Sequence, residues 1–273
     1  MTKLAVSEMT TYRWSFEEDV QNYVRAGVSA IGVWRPKLSD FGEDRGIELL
    51  KESGLAVSSL LWAGGFTGSD GRTYKESVLD ARDAIQLAAR LRADCLVVYS
   101  GSRAGHTHSH ARRLFRSALG ELLAEAAECG VTLAIEPMHV GCAGDWTFLT
   151  SLDETLSVLD EFPDPQLKLA FDTYHLGQDA LVLDRLTEVA ARTAIVHLGD
   201  SKTPPNGEQN RCPLGDGCLP LSDIVSGLQH AGFGGYFEVE LMGEEIEVTD
   251  YCDLISHSKQ AYESWVEGLE SRV

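Results

Sequence analysis

A regular alternation of short apolar runs and amphipathic segments constrains the fold of this chain more than any other feature. Each apolar run ends in Gly or polar residues, which is typical of strands buried on both faces. Eight runs are predicted as strands: Leu4 to Ser7, Ala30 to Trp34, Ala56 to Trp62, Cys95 to Tyr99, Val131 to Ile135, Leu167 to Phe171, Ala194 to Leu198 and Tyr236 to Leu241.

Segments with apolar residues at helical spacing separate these runs, and glycines precede several strands where a helix C-cap is expected. Eight strand–helix units in 273 residues average about 34 residues each, the size of a βα repeat. Strands that alternate with helices predict a parallel sheet, and eight units favour a closed α/β fold, the (β/α)8 barrel.

An open doubly wound sheet is the alternative, but it usually carries a glycine-rich phosphate loop after its first strand. The segment from Glu8 to Trp14 has no such loop. No Pro/Gly/Ser linker or block of charge marks a boundary, so we expect one barrel domain over residues 1–273.

Charge excludes several classes of partner. The chain has 23 Lys and Arg against 42 Asp and Glu, a net charge of −19, which repels a nucleic-acid backbone and an anionic membrane surface. Its N-terminus becomes polar too early for a signal peptide, and no apolar run approaches the roughly 20 residues of a membrane span. Six cysteines without a Cys-x-x-Cys pair predict reduced thiols and a cytoplasmic protein.

Ionisable residues stand at the carboxyl ends of the last four predicted strands: Glu136, Asp172, His197, and both Glu238 and Glu240 in the eighth. The carboxyl ends of barrel strands form the face that carries chemistry. Charged groups in a strand interior are costly unless they are paired or bound to a metal.

A divalent ion would relieve the repulsion among these carboxylates. Three oxygen ligands and one nitrogen suit Mn²⁺, Mg²⁺, Co²⁺ or Zn²⁺, with positions left open for substrate. The alternative is a set of separate salt bridges and strand caps.

The motifs Ile-Glu136-Pro, Phe-Asp172-Thr-Tyr-His175, Val-His197-Leu-Gly-Asp and Glu-Val-Glu240 resemble the xylose isomerase-like TIM-barrel superfamily. Within it they are similar to the sugar phosphate isomerase/epimerase branch, which includes ketose 3-epimerases, hydroxypyruvate isomerase and inosose dehydratase. The resemblance rests on the second half of the chain, since the first half shares only the strand–helix rhythm. It implies that Glu136, Asp172, His197 and Glu240 bind one metal ion.

The resemblance also implies roles for neighbouring residues. The ligand of the eighth strand follows a glycine by five residues, as Glu240 follows Gly235. Glu238 is then expected to lie deeper, held by a buried partner such as an arginine. His175 would orient the substrate, and Arg211 would bind substrate oxygens from the loop before a Gly-x-Gly turn.

The implied reaction is proton abstraction next to the carbonyl of a ketose, keto-acid or related polyol. Polarisation by the ion would stabilise an enediolate, while Glu136 and Glu240 transfer protons on opposite sides of the substrate. Relatives in this branch imply a homodimer or homotetramer.

Other reactions remain open. A dehydratase or lyase of the inosose dehydratase type would use the same enediolate, and Cys142 occupies a position where ketose 3-epimerases carry a further glutamate. An apurinic-type DNA endonuclease shares the barrel but needs extra histidines on earlier strands, where this chain has Trp62 and Tyr99. A binding or scaffold protein is disfavoured by the complete ligand set.

Five further residues are candidates for substrate contact: His108, His139, Lys202, Trp14 and Trp62. His108 lies in a histidine-containing loop after the fourth strand, where solvent exposure is the alternative. The two tryptophans either stack on a sugar face or pack in the core. Lys202 either binds a substrate oxygen or lies in solvent.

Overall fold

Eight parallel strands close into a barrel in chain order, which confirms the predicted (β/α)8 fold. The computed structural model describes residues 3–270 and the side chains of residues 3–266. The strands are β1 (Leu4–Ser7), β2 (Ala30–Trp34), β3 (Ala56–Gly64), β4 (Leu96–Tyr99), β5 (Leu133–Ile135), β6 (Leu167–Asp172), β7 (Thr193–Leu198) and β8 (Tyr236–Val239).

Helices follow the strands and cover the barrel. Several begin at a capping side chain; Ser15 and Thr73 each form a capping box with a glutamate three residues later. Within the described range none is long and apolar enough to cross a membrane. The α-helices are α1 (Phe16–Arg25), α2 (Arg35–Phe41), α3 (Glu43–Ser53), α4 (Tyr74–Leu91), α5 (His108–Cys129), α6 (Leu152–Glu161), α7 (Thr173–Leu176), α8 (Val182–Ala190), α9 (Leu221–His230), α10 (Glu244–Glu247) and α11 (Tyr251–Glu270).

The strand bounds differ from the prediction by at most two residues: β8 stops at Val239 rather than Leu241, β3 continues to Gly64 rather than Trp62, and β5 begins at Leu133 rather than Val131. Beyond Val239 the backbone is held by other groups: the Glu240 amide donates to the Leu198 carbonyl at 3.0 Å, and the Leu241 amide donates to the Thr10 hydroxyl at 3.0 Å. Glu240 is therefore fixed although it lies outside the sheet.

Alternation along the strands decides which side chains enter the barrel. Ala134, Ala170 and Ile195 form a small buried cluster, separate from the large core between strands and helices. Because strand side chains alternate with a period of two, the residues two places later point the same way. Those residues are Glu136, Asp172 and His197.

A buried ion pair fixes the loop after β1. The Lys37 ammonium donates to the Asp19 carboxylate at 2.6 Å and to the Thr11 carbonyl at 2.9 Å, and both charged side chains are buried. The carboxylate of Glu8 accepts a hydrogen bond from the Trp34 amide at 2.7 Å. These contacts tie β1, α1 and α2 together at the carboxyl end of the barrel.

Replacing Lys37 by methionine should lower the free energy of unfolding by about 3–5 kcal/mol, because Asp19 would keep a buried charge without its partner. Urea unfolding measures this change. The exposed Lys51 of α3 supplies the matched control, since Lys51→Met should change stability by less than about 0.5 kcal/mol. Equal losses in the two variants would contradict a special contribution from the ion pair.

Candidate metal centre and active site

Glu136, Asp172, His197 and Glu240 meet in the barrel mouth. One ligand-type atom of each lies within 4.8 Å of the corresponding atoms of the other three, and all four side chains are buried. Nδ1 of His197 lies 2.7 Å from Glu136 Oε1 and 3.3 Å from Glu240 Oε2. Register accounts for this convergence, because Asp172 pairs with His197 between neighbouring strands.

The electrostatics of this cluster show an excess of negative charge. Burial lowers the pKa of His197, but the carboxylates of Glu240 and Glu136 outweigh it and hold the pKa well above its usual range. Burial raises the pKa of Glu240 to about 7 against the opposing charges of His197 and Arg211. Both groups thus favour protonated forms, as expected where carboxylates are crowded without enough cations.

The cluster fits a divalent ion. Bonds of about 2.0–2.2 Å place ligand atoms on opposite sides of such an ion about 4.0–4.4 Å apart, a separation that falls within the 4.8 Å limit on the spacing of the four ligand-type atoms. Oε2 of Glu136 is buried and lacks a hydrogen-bond partner among the described residues. A cation would satisfy that oxygen and neutralise the crowded carboxylates.

Arg211 lies against the ligand-type residues. Its guanidinium donates to Asp172 Oδ2 at 2.8 Å and to the Glu240 backbone carbonyl at 2.7 Å, and it stacks on the Tyr174 ring at 4.7 Å. The Arg211 charge holds the pKa of Asp172 below its usual range despite burial. The single positive charge of Arg211 does not offset three carboxylates. The excess negative charge is therefore still available to a cation. Binding of a substrate oxygen by Arg211 stays a prediction.

Glu238 has buried partners, as expected, but they are hydroxyl groups rather than the arginine named as an example. Glu238 accepts hydrogen bonds from Ser58 Oγ at 2.6 Å and from Ser59 Oγ at 3.0 Å, both on β3. Two hydroxyl groups satisfy the carboxylate in the space that remains inside the barrel, whereas a guanidinium is far larger. Glu238 does lie deep, as expected, and is fully buried.

His175 lies beside the cluster with one free ring nitrogen. Burial lowers the pKa of His175 to about 4, so the imidazole is neutral at pH 7. Its Nδ1 is 3.6 Å from Cys142 Sγ, while the buried Nε2 is 3.9 Å from Asp172 Oδ2 and has no hydrogen-bond partner in the part of the chain described. His139 is half-buried nearby, and its Nδ1 accepts the Gly141 amide at 3.1 Å.

A cavity of about 680 Å³ opens at the ends of β2 to β4, and four of its lining residues are aromatic. Trp62 packs edge-on against Tyr99 and Trp146, with ring centroids 5.6 Å and 5.3 Å away. Tyr99 joins the cavity to the cluster: Val98 pairs with Ile135, so Tyr99 and Glu136 are neighbours, and the charge of Glu136 adds to burial in raising the Tyr99 pKa. The predicted place of Trp62 at the mouth agrees with this wall.

Two arginines line the same cavity, and carboxylates hold both. Arg35 donates to Asp80 at 2.9 Å and to the Trp62 carbonyl at 3.1 Å. Arg72 lies 2.8 Å from the same Asp80 and 2.6 Å from Asp70. Glu43 and Asp145 also line the cavity, so its lining contains four carboxylates and two guanidinium groups.

Three predicted substrate contacts do not line this cavity. Lys202 forms an exposed ion pair with Glu245 at 2.7 Å. His108 begins α5, and its half-exposed side chain lies 3.5 Å from Glu154. Trp14 packs edge-on against Tyr251 at a centroid distance of 5.2 Å.

Several residues around the site had no signal that singled them out. Arg35 and Ser58 belong to ordinary segments of a helix and a strand, and only the tertiary fold brings them to the cavity and to Glu238. Glu8 did carry a signal, because it is a charged residue directly after β1.

Comparison with known proteins identifies the fold family. The family model described as xylose isomerase-like TIM barrel matches residues 20–270. The chain belongs to this family. Among curated members, D-psicose 3-epimerase of Enterocloster bolteae is 28% identical over 138 residues, which are 48% of this chain and 42% of that protein. Ketose 3-epimerase of Arthrobacter globiformis is 24% identical over 76% of this chain and 70% of its own length.

Solved structures show the same family fold over nearly the whole chain. Protein SMc04130 from Sinorhizobium meliloti 1021 is 26% identical, with a TM-score of 0.89 and coverage of 96% of this chain and 98% of its own. IOLI protein, whose crystal structure has a bound zinc atom, is 19% identical, with a TM-score of 0.85 and coverage of 98% and 99%. At that identity, the second likeness concerns the fold alone.

Mn²⁺ should stabilise metal-free protein, because an ion held by the folded cluster would favour the folded state over the unfolded one. At a free concentration about 100 times the Kd, the gain in unfolding free energy should be about 2.7 kcal/mol. Asp172→Asn should weaken binding at least tenfold and reduce this gain to about 1.4 kcal/mol or less at the same concentration. Thermal and urea unfolding with and without Mn²⁺ measure the gain in unfolding free energy. Asp153→Asn, at an exposed aspartate, should keep the full gain; a full gain in Asp172→Asn would remove Asp172 from the ligand set.

Proposed function

We propose that this protein is a metal-dependent sugar isomerase or epimerase that removes and returns a proton next to a carbonyl. The observation that carries the proposal is the convergence of Glu136, Asp172, His197 and Glu240 within 4.8 Å in the barrel mouth. The named activities of the curated relatives, D-psicose 3-epimerase and ketose 3-epimerase, support this class of reaction. The zinc atom of IOLI protein supports a metal site in the shared fold.

The four clustered residues would hold the ion, which when bound polarises a carbonyl and stabilises an enediolate. Glu136 and Glu240 flank Nδ1 of His197 and follow different strands, β5 and β8, so two carboxylates are available for proton transfer at the reacting carbons. His175 offers the free Nε2 of a neutral imidazole to a substrate oxygen. Arg211 keeps Asp172 ionised and in place.

The cavity favours an uncharged substrate. Both of its arginines are bound to Asp80, and the carboxylates of its lining outnumber the guanidinium groups, so a phosphate or carboxylate would have to break ion pairs and face like charges. Aromatic rings such as Trp62 suit the apolar face of a sugar. Among the substrates that the resemblance implies, a free ketose or inosose fits better than a phosphorylated sugar or a keto-acid.

Glu136→Gln and Glu240→Gln should each lower epimerisation about 10²–10⁴-fold, because each removes one acid–base group. If each glutamate serves one side of the substrate, each variant keeps deuterium uptake from ²H₂O with one epimer and loses it with the other. Mass spectrometry of ketoses and inososes incubated with the Mn²⁺-loaded protein measures both quantities.

Assays at Mn²⁺ concentrations that saturate each variant, with binding checked by unfolding, separate loss of proton transfer from loss of the ion. Loss of water from the substrate instead of proton exchange alone would identify the dehydratase reaction. Wild-type turnover in either glutamine variant would contradict its role in proton transfer.

Phosphorylation of an accepted ketose should lower kcat/KM at least tenfold, since the cavity lacks a free guanidinium among its described lining residues. Steady-state assays of matched ketose and ketose-phosphate pairs measure the ratio. Asp80→Asn removes one ion-pair partner of Arg35 and Arg72 and should reduce the preference for the unphosphorylated ketose. Asp153→Asn should leave that preference unchanged. A wild-type preference for the phosphate would contradict the uncharged substrate.

A further inference from the structure

Glu238 occupies a built pocket inside the barrel, beneath the ligand cluster. Its carboxylate is fully buried and accepts hydrogen bonds from Ser58 and Ser59, which are neutral groups. A buried carboxylate is costly when its partners carry no charge, and packing alone would be served by an apolar side chain. The position of this charge therefore calls for a reason beyond packing.

Irregular backbone on β3 creates the pocket. Ile31 pairs with Val57 and Gly32 with Ser59, so Ser58 is an extra residue at a shift of register. Adjacent strand residues normally point to opposite faces, but such a bulge re-aims a side chain and lets both hydroxyl groups reach one carboxylate.

Gly32 on β2 completes the pocket. A Cβ atom at Gly32 would lie 2.1 Å from Glu238 Oε1, so any larger residue would displace the carboxylate. The pocket thus requires a glycine at position 32, and Ser58 and Ser59 supply its hydrogen-bond donors.

His197, a member of the ligand cluster, has one ring nitrogen on the side of the other three members and the other on the side of Glu238. Its Nδ1 faces Glu136 and Glu240, while its Nε2 lies 3.9 Å from Glu238 Oε1 and is buried with no hydrogen-bond partner among residues 3–266. Nδ1 can offer a lone pair to an ion only when the ring proton is on Nε2. Glu238 is the acceptor that faces that proton.

We propose that Glu238 is a positioning residue that accepts the Nε2 proton of His197 and so fixes the tautomer and ring orientation in which Nδ1 binds the metal. A shift of about 1 Å brings the observed 3.9 Å separation to hydrogen-bond length. Carboxylate partners of this kind raise the basicity of a histidine ligand and typically account for about 10–100-fold in metal affinity. The proposal rests on the metal site of the proposed function.

The test is titration of metal-free protein with MnCl₂ in a calorimeter. Glu238→Gln keeps the shape of the side chain but removes its charge, and it should raise the Mn²⁺ Kd about 10–100-fold. Glu245→Gln makes the same change at a glutamate paired with Lys202 on the rim and should leave the Kd unchanged. Gly32→Ala leaves Glu238 in the chain but displaces its carboxylate, and it should weaken binding in the same direction.

Two further measurements separate positioning from a merely structural role. Metal-free Glu238→Gln should unfold cooperatively, and ¹⁵N shifts of the His197 ring in Zn²⁺-loaded protein should show a protonated Nε2 in the wild type and a mixed or altered tautomer in the variant. An unchanged Kd and ring spectrum in Glu238→Gln, with Mn²⁺ bound normally by the wild type, would overturn this proposal alone. Absence of Mn²⁺ binding by the wild type would overturn the proposed metal site and this proposal with it.

Discussion

Repulsion among buried carboxylates is the constraint on which this structure depends. Glu136, Asp172 and Glu240 share one small volume from which water is largely excluded, and their mutual repulsion is strong in a low dielectric. Arg211 and His197 relieve part of that repulsion. The part that remains is what a bound cation would neutralise under the proposed function, because a neutral ligand would leave the charge uncompensated.

The barrel holds these charges in place through its own regularity. Alternation along β5, β6 and β7 puts small or apolar residues below and ionisable residues above on the same inward face. Helices packed on the outside prevent the strands from separating under the repulsion. The free energy of the apolar core therefore offsets the cost of the polar site, a division of roles that suits barrel enzymes.

Sequence reasoning located the strands and the ionisable residues at their ends because both depend on short-range order, whereas the choice of Glu240 over Glu238 came from the family resemblance. Glu136 and His197 are polar residues that end apolar runs, and parallel strands bring such ends to one face. The partners of Glu238 were not predictable in this way: adjacent Ser58 and Ser59 should face opposite sides, and only the bulge on β3 joins them. The Arg35–Asp80 pair depends on how α2 and α4 pack, which no local pattern encodes.

The two halves of the barrel supply different parts of the site. The ligand cluster comes from β5 to β8, whereas the cavity wall comes mainly from the ends of β2 to β4 and the loops that follow them. Changes in the first half can alter the charge and shape offered to the substrate without moving a ligand-type residue. Under the proposed function, ion pairs such as Arg35–Asp80 would make this part of the site selective against anions, because binding an anion would require breaking them. Selectivity for the substrate would then rest on residues outside the ligand-type cluster.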